Sequence, residues 1–174
     1  MSEKTENETA VIKGLKGVQA ADSTICLVNG QEGRLLYRGY NIDDLAKNCS
    51  FAEVAYLLLK GELPNESQFD QFRAALVEHR RLPTSVVDFL RNQPRQAHPM
   101  ALLRTAISIA GLHDPLAEDD SSEANYQKSI HLTAMTATIV AAIHRIQQGL
   151  DPIEPRSDID HASNFMQFLF LSFC

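Results

Sequence analysis

The chain has 174 residues, 44% of them hydrophobic and 22% charged, an ordinary composition for one soluble globular domain. Its formal net charge of −6 argues against nucleic acid as a partner, because nucleic-acid binding needs a basic surface. Three scattered cysteines show neither metal-ligand spacing nor a disulfide framework, and no apolar run reaches the roughly 20 residues that span a bilayer. We therefore expect a cytoplasmic protein with no membrane partner, since the polar N-terminus also lacks a signal-peptide core.

The β-structure predicted from the sequence is confined to the first part of the chain. Residues 1–13 are polar and are expected to form a disordered arm. From Thr24 to Tyr40 the sequence predicts a β-hairpin, because Asn29-Gly30 and the nearby Gly33 supply the positive φ angles that a chain reversal needs.

Helical patterns account for the rest of the chain. Ser50 and Glu53 have the spacing of a capping box, and the helix that they open is expected to end at Gly61. The cationic run 79–81 is expected to interact with the negative end of the helix that precedes it. The other predicted helices cover residues 43–47, 67–81, 83–92, 99–112 and 122–148, with a last helix beginning near Asp158.

Two predicted helices carry very few charges. Helix 99–112 has one charged residue, and helix 122–148 has none between residues 132 and 143. A helix that is apolar on every side must be covered on every side, and one short chain can hardly enclose both. We therefore expect self-association through helices 99–112 and 122–148, and we expect a lysine at Ala137 or Thr138 to break the dimer.

Several histidines and acidic residues could belong to a site, but a structural role is favoured for each. His98 stands before a proline, where helices are capped. At about 100° per residue, His131 and His144 point to nearly opposite faces of one helix, so a shared metal or acid–base role is not expected. The run Asp158-Ile159-Asp160-His161 could be read as a metal cluster, although a helix N-terminus accounts for its aspartates more simply.

The remaining polar motifs also have two interpretations. The run Asp119-Asp120-Ser121-Ser122 is expected to be a solvated loop and helix cap rather than a cation site. Arg34 and Arg38 could contact a phosphate or a carboxylate, but they fit equally on the polar face of the hairpin. Gly30 and Gly33 are turn glycines, because no helix follows them to complete a phosphate loop.

The opening of the chain resembles the citrate synthase family in its short bacterial and archaeal form. The resemblance begins in residues 14–40, GLKGVQAADSTICLVNGQEGRLLYRGY. Four stretches carry it through the chain: residues 33–42 (GRLLYRGYNI), 51–64 (FAEVAYLLLKGELP), 98–106 (HPMALLRTA) and 160–165 (DHASNF). They occur in order from about Gly14 to Met166, which makes the family resemblance specific.

The resemblance implies a mainly α fold, with an N-terminal β-hairpin followed by a multi-helix part of the citrate synthase large domain over residues 14–166. The family condenses acetyl-CoA with oxaloacetate as a homodimer, without a metal or redox cofactor. An aspartate base, two histidine donors and substrate-binding arginines do this chemistry. The family segments of the types His-Ala-Asp-His-Glu and Leu-His-Gly-Gly have no counterpart here, so no catalytic, substrate-binding or metal residue is assigned. The chain alone is expected to be inactive.

The last residues depart from the family pattern. Residues 167–174, QFLFLSFC, form an apolar tail, and half of the eight phenylalanines lie in the last ten residues. This shift fits a truncated or frameshifted reading frame and predicts poor solubility, because the phenylalanines would have little to bury against. Two alternatives to a citrate synthase fragment remain, a fragment of the sister 2-methylcitrate synthase, which uses propionyl-CoA, and a non-catalytic helical remnant that acts only as an interaction module.

Overall fold

The computed structural model describes residues 22–170, so the predictions for the arm 1–13 and for residues 171–174 lie outside the described part. Three short strands are followed by seven helices within this range. They are β1 (Cys26–Asn29), β2 (Arg34–Tyr37), β3 (Tyr40–Asn41), α1 (Ile42–Asn48), α2 (Phe51–Lys60), α3 (Glu66–Glu78), α4 (Thr84–Arg91), α5 (Pro99–Gly111), α6 (Ser122–Gln147) and α7 (His161–Phe170). None of these helices is long and apolar enough to cross a membrane.

The predicted hairpin is confirmed as part of a small antiparallel sheet with strand order β1-β2-β3. In its turn, the Asn29 side chain accepts two backbone N–H groups at 3.2 Å, and Gly33 adopts a φ of 62°. Strand β3 was not predicted, because a two-residue strand carries no alternating pattern. The chain reaches it through Arg38 and Gly39, both with positive φ.

Local sequence signals set the ends of the first long helices. The capping box of Ser50 and Glu53 opens α2, and Gly61 closes this helix in the left-handed conformation, as predicted. A second capping box, formed by Asn65 and Gln68, opens α3. It was not predicted, although the amide side chains make the same pair of hydrogen bonds as the Ser/Glu version.

The cations after α3 do not serve its helix dipole as a group. Helix α3 ends at Glu78 and has no basic residue in its last turn. Arg80 is only 1% exposed, and its Nη1 donates to the carbonyl oxygens of Arg156 and Ile159, each at 2.9 Å. The helix-dipole interpretation is therefore wrong for Arg80, whose charge is used by the segment before α7.

Helix α6 is the centre of the fold. It contributes to two hydrophobic clusters on different sides. One cluster joins α4, α5 and α6 through Val86, Leu90, Leu102, Ala106, Ala110, Ile139, Ala142 and Ile143. The other joins α2, α3 and α6 through Ala52, Tyr56, Phe72, Leu76, Ile130 and Ala134. The chain's own helices thus cover more of α6 than its charge-free sequence suggested.

Helix α7 begins at His161 rather than near Asp158, and it packs against α6. Asp160 caps it, because its carboxylate accepts the backbone N–H of Ser163. Phe168 is only 4% exposed, so the expectation that the late phenylalanines lack burial is wrong for this residue. Phe170 is 58% exposed and does lie open to solvent.

Candidate functional site

An open apolar groove of about 550 Å³ runs along α6, between the start of α2 and α7. Its lining includes Phe51, Leu132, Thr133, Thr136, Ala137, Val140 and Phe165. The five α6 residues of this list recur at helical spacing, so they form one stripe, here called the α6 stripe. Leu132 is 44% exposed and Phe51 is 50% exposed, which shows that the described helices leave this stripe uncovered.

Helix α5 exposes apolar side chains mainly at its ends. Met100 is 63% exposed, and Leu112, just after the helix, is 82% exposed. Between them, Leu102, Ala106 and Ala110 are buried against α4 and α6. The exposed apolar surface of the two helices is therefore the α6 stripe and the two ends of α5.

The two positions chosen for lysine substitution behave differently. Ala137 lies in the α6 stripe and lines the groove. Thr138 is 5% exposed and is buried within its own chain. Thr138→Lys would place an ammonium in the core of one subunit, so our expectation that it would report on a dimer is wrong. Ala137 remains the informative position.

Residues 149–160, which connect α6 to α7 and are here called the linker segment, are held by arginines from several elements. Two prolines leave the segment with few N–H donors, and arginine side chains bind its carbonyl and carboxylate oxygens instead. The contacts are Arg145 Nε to the Asp151 carbonyl at 2.7 Å, Arg80 Nη1 to the Arg156 and Ile159 carbonyls, Arg91 to the Asp151 carboxylate at 3.1 Å, and Arg81 to Glu154 at 3.2 Å. These contacts fix the start of α7.

The acidic run before α7 does not converge on a common point. Asp158 is paired with Arg156, which lowers the pKa of the carboxyl. Asp160 caps α7, and hydrogen bonds from Ser163 lower the pKa of Asp160. The helix-terminus interpretation is thus confirmed for Asp160, while Asp158 has a different partner. Within residues 22–170, no group of three His, Cys, Asp or Glu side chains is placed to hold a metal ion.

His161 is buried in the same region, at 8% exposure. Its ring stacks on Phe51, with centroids 4.9 Å apart and an interplanar angle of 14°. Burial, and then the positive charge of Arg80, lower the pKa of His161. The folded chain therefore favours the neutral imidazole, which acts as a packing group between α2 and α7.

Two predicted caps are confirmed. His98 Nδ1 accepts the backbone N–H of Met100 at 3.2 Å and so caps α5. Ser121 caps α6 through the N–H of Ala124, also at 3.2 Å, within the predicted loop 119–122. Neither His98 nor this loop forms a ligand site in the described structure.

The hairpin arginine with visible contacts is structural. Arg38 donates to the Leu58 carbonyl and to Thr24 Oγ1, each at 3.0 Å. These bonds tie the hairpin to the end of α2. Of the two interpretations left open for this residue, the structure favours the structural one.

Sequence reasoning missed one cluster of titratable groups. His131 was compared with His144, but its ring contacts His79, with centroids 3.8 Å apart. Asp114 completes the cluster, with Oδ2 at 3.7 Å from His131 Nδ1. These three residues come from three separate elements around a cavity of about 370 Å³, so no local motif announces them.

Comparison with known proteins gives one consistent result. A family model described as "Citrate synthase, C-terminal domain" matches residues 14–172. The chain is 40% identical over 159 residues to citrate synthase from Deinococcus radiodurans, which covers 91% of this chain and 42% of that protein. It is 43% identical over 171 residues to citrate synthase from Mycolicibacterium smegmatis, covering 98% and 45%.

Other relatives extend this result. A 2-methylcitrate synthase from Mycobacterium tuberculosis is 40% identical over 158 residues, covering 91% of this chain and 40% of that protein. The crystal structure of citrate synthase from Pyrobaculum aerophilum is similar at a TM-score of 0.86 and 32% identity, covering 92% of this chain and 42% of that one. The chain thus spans less than half the length of these relatives.

Proposed function

The chain belongs to the citrate synthase family, and we propose that it forms the N-terminal part of the large domain of a citrate synthase. The whole enzyme would condense acetyl-CoA with oxaloacetate to give citrate and CoA, a step of the tricarboxylic acid cycle in the cytoplasm. It would need no metal or redox cofactor. The observation that carries this proposal is the TM-score of 0.86 to a citrate synthase crystal structure, over 92% of this chain.

Within that enzyme we assign these residues a structural role. Condensation needs a carboxylate base and two hydrogen-bond donors placed around one substrate. The cluster of His79, His131 and Asp114 has the right residue types, but the two rings touch at 3.8 Å and leave no room between them for a carbonyl group. His161 is buried against Phe51. The catalytic groups would therefore come from parts of the enzyme that residues 22–170 do not include.

Thiol release tests this proposal. The purified chain is expected to release no thiol from acetyl-CoA in the presence of oxaloacetate. A chimera in which residues 14–172 replace the matching 42% of the Deinococcus radiodurans enzyme is expected to regain release that depends on both substrates. A folded, dimeric chimera without any activity would contradict the assignment to a citrate synthase.

A second candidate is a part of a 2-methylcitrate synthase, because the identity to that relative, 40%, equals the identity to the Deinococcus enzyme. We propose that the acyl preference follows the remainder of the enzyme. A second chimera with the Mycobacterium tuberculosis protein tests this directly. If residues 14–172 impose the same preference for acetyl-CoA or propionyl-CoA on both chimeras, the preference lies in this chain.

We also propose that two copies associate through α5 and α6. The α6 stripe and the exposed Met100 and Leu112 support this, because each is apolar and uncovered by the described helices. Ala137→Lys is expected to produce a folded monomer, since a buried unpaired ammonium costs several kcal/mol. Gln127→Lys is the matched control, because it adds the same charge at an exposed α6 position outside the stripe.

Sedimentation equilibrium and circular dichroism separate the outcomes. The parent chain and Gln127→Lys should sediment as dimers, and Ala137→Lys as a monomer with unchanged helix content. A soluble, folded monomer of the parent chain would contradict self-association through these helices.

A further inference from the structure

We propose that His79, His131 and Asp114 form a proton-sensitive contact, which holds the end of α3 against α6 and is released when both imidazoles are protonated. His79 is the C-cap residue of α3, and His131 lies in α6. Asp114 lies in the connection between α5 and α6. The contact therefore joins three elements that are distant in sequence. This proposal does not depend on which acyl-CoA the whole enzyme uses.

The geometry gives one imidazolium a partner and leaves a second without one. Asp114 Oδ2 is 3.7 Å from His131 Nδ1, and the other carboxylate oxygen accepts the backbone N–H of Leu116 at 2.8 Å. One proton on His131 would thus face a carboxylate. A proton on His79 as well would place two positive rings in contact, at a centroid separation of 3.8 Å. The side chains of His131 and Asp114 are 22% and 20% exposed, so water screens this repulsion only in part.

Other charged groups around the cavity do not remove the repulsion. Glu78 comes from α3, Arg81 from the segment after it, His113 from the α5–α6 connection and Lys128 from α6. Glu78 and the carbonyl end of α3 favour a charged His79, whereas Arg81 and Lys128 oppose it. Arg81 pairs with Glu154, and Lys128 donates to the Asp119 carbonyl. Two acids and two bases thus nearly cancel, so two added protons leave the cavity positive.

The direction of the pH dependence follows from His79. Burial, and then the neighbouring His131, lower the pKa of His79 from its ordinary value of 6.5, although Glu78 and Asp114 partly offset them. The folded state therefore resists this proton. The contact is fully formed above about pH 6.5, the value for an unperturbed histidine, and is lost as the pH falls below it. Contacting ring faces do not converge their in-plane nitrogen lone pairs, so a proton rather than a metal is the ligand.

Nitrogen-detected NMR of the histidine rings in the full chain tests the coupling. In the parent chain, His79 is expected to titrate below pH 6.5, and His131 is expected to show a second inflection at that same pH, as coupled groups do. His131→Phe keeps a ring against His79 but removes the second charge, so the His79 midpoint should rise and its curve should become a single step. His144→Phe is the matched control, because His144 is an exposed α6 residue and should leave both curves unchanged.

Hydrogen exchange provides the second measurement. Protection factors of the amides of residues 113–117 should fall below pH 6.5 in the parent chain, and this fall should be smaller in His131→Phe. Because these readouts are local, the titration of the buried His161 does not contribute to them. Independent single-step curves for His79 and His131 in the parent chain, or protection of residues 113–117 that does not change with pH, would overturn the proposal. The parent titration decides the matter even if His131→Phe fails to fold.

Discussion

Arg80→Met removes the central contact of the linker segment and is the most informative single substitution. Arg80 is 1% exposed, and its two hydrogen bonds reach carbonyl oxygens at Arg156 and Ile159. Methionine is a flexible apolar side chain of similar reach, so it fills the space without donating a hydrogen bond. Arg81→Met is the matched control, because it makes the same exchange at the next residue, where the side chain is 77% exposed.

The expected magnitude follows from the number of bonds lost. A hydrogen bond from a charged donor stabilises a fold by about 1.5–3 kcal/mol, so two such bonds contribute about 3–6 kcal/mol. Part of this is offset by the burial of a charge, which lowers the pKa of Arg80 and leaves its Nε without a partner. We therefore expect Arg80→Met to lower the free energy of unfolding by about 2–4 kcal/mol. Arg81→Met should cost less than about 1 kcal/mol, the usual worth of an exposed ion pair.

Urea unfolding at pH 7.5 measures both changes, and hydrogen exchange of residues 156–161 shows whether the linker segment opens first. Arg80→Met should lower the urea midpoint well below that of Arg81→Met and should increase exchange in this segment. If the two variants unfold within about 0.5 kcal/mol of each other, Arg80 does not hold the linker segment and its role here is misassigned.

Three further substitutions test the packing of α7 and the buried histidine. Phe168→Ala should destabilise the fold by about 3–5 kcal/mol in urea unfolding, because this side chain is 4% exposed. Phe170→Ala should change stability by less than about 0.5 kcal/mol and should raise the soluble yield, since Phe170 is 58% exposed; an unchanged yield would count against the exposed phenylalanine as a cause of association. His161→Phe should reduce the loss of stability as the pH falls below about 6.5, because the pKa of His161 is lower in the folded chain than in the unfolded chain, so its contribution is present above that pH and lost below it. An identical pH dependence of the urea midpoint in the parent chain and in His161→Phe would contradict the lowered pKa.

Features written into a few adjacent residues could be predicted from the sequence. The hairpin turn at Asn29, the capping box of Ser50 and Glu53 and the His98 cap each depend on contacts within a few positions of the chain. Their hydrogen bonds form between residues that are close in sequence whatever the tertiary fold, so the local pattern is sufficient. The family resemblance also depends on continuous stretches, and it was confirmed.

Features made by contacts between distant residues could not be predicted. Arg80 was assigned to the end of its own helix, because nothing near it in sequence marks its partners in the linker segment. His79 and His131 meet only after α3 packs on α6. Composition also failed to distinguish Ala137 from Thr138, since both are small residues in a charge-free run and only the packing of neighbouring helices decides which is buried.

The exposed apolar groove shows where pattern and packing combine. The charge-free run 132–143 correctly indicated that α6 is the most enclosed helix. It did not indicate that α4, α5 and α3 of the same chain supply most of the cover. The uncovered remainder is the α6 stripe, and its position could be read only from the structure.

The central claim is that these residues form a structural part of a citrate synthase and do not themselves carry out condensation. Thiol release from acetyl-CoA with oxaloacetate, measured on the purified chain after circular dichroism has shown it to be helical, tests this claim most directly. The account predicts no release above a blank that lacks oxaloacetate. Release that requires both substrates would contradict it and would place a working active site within these 174 residues.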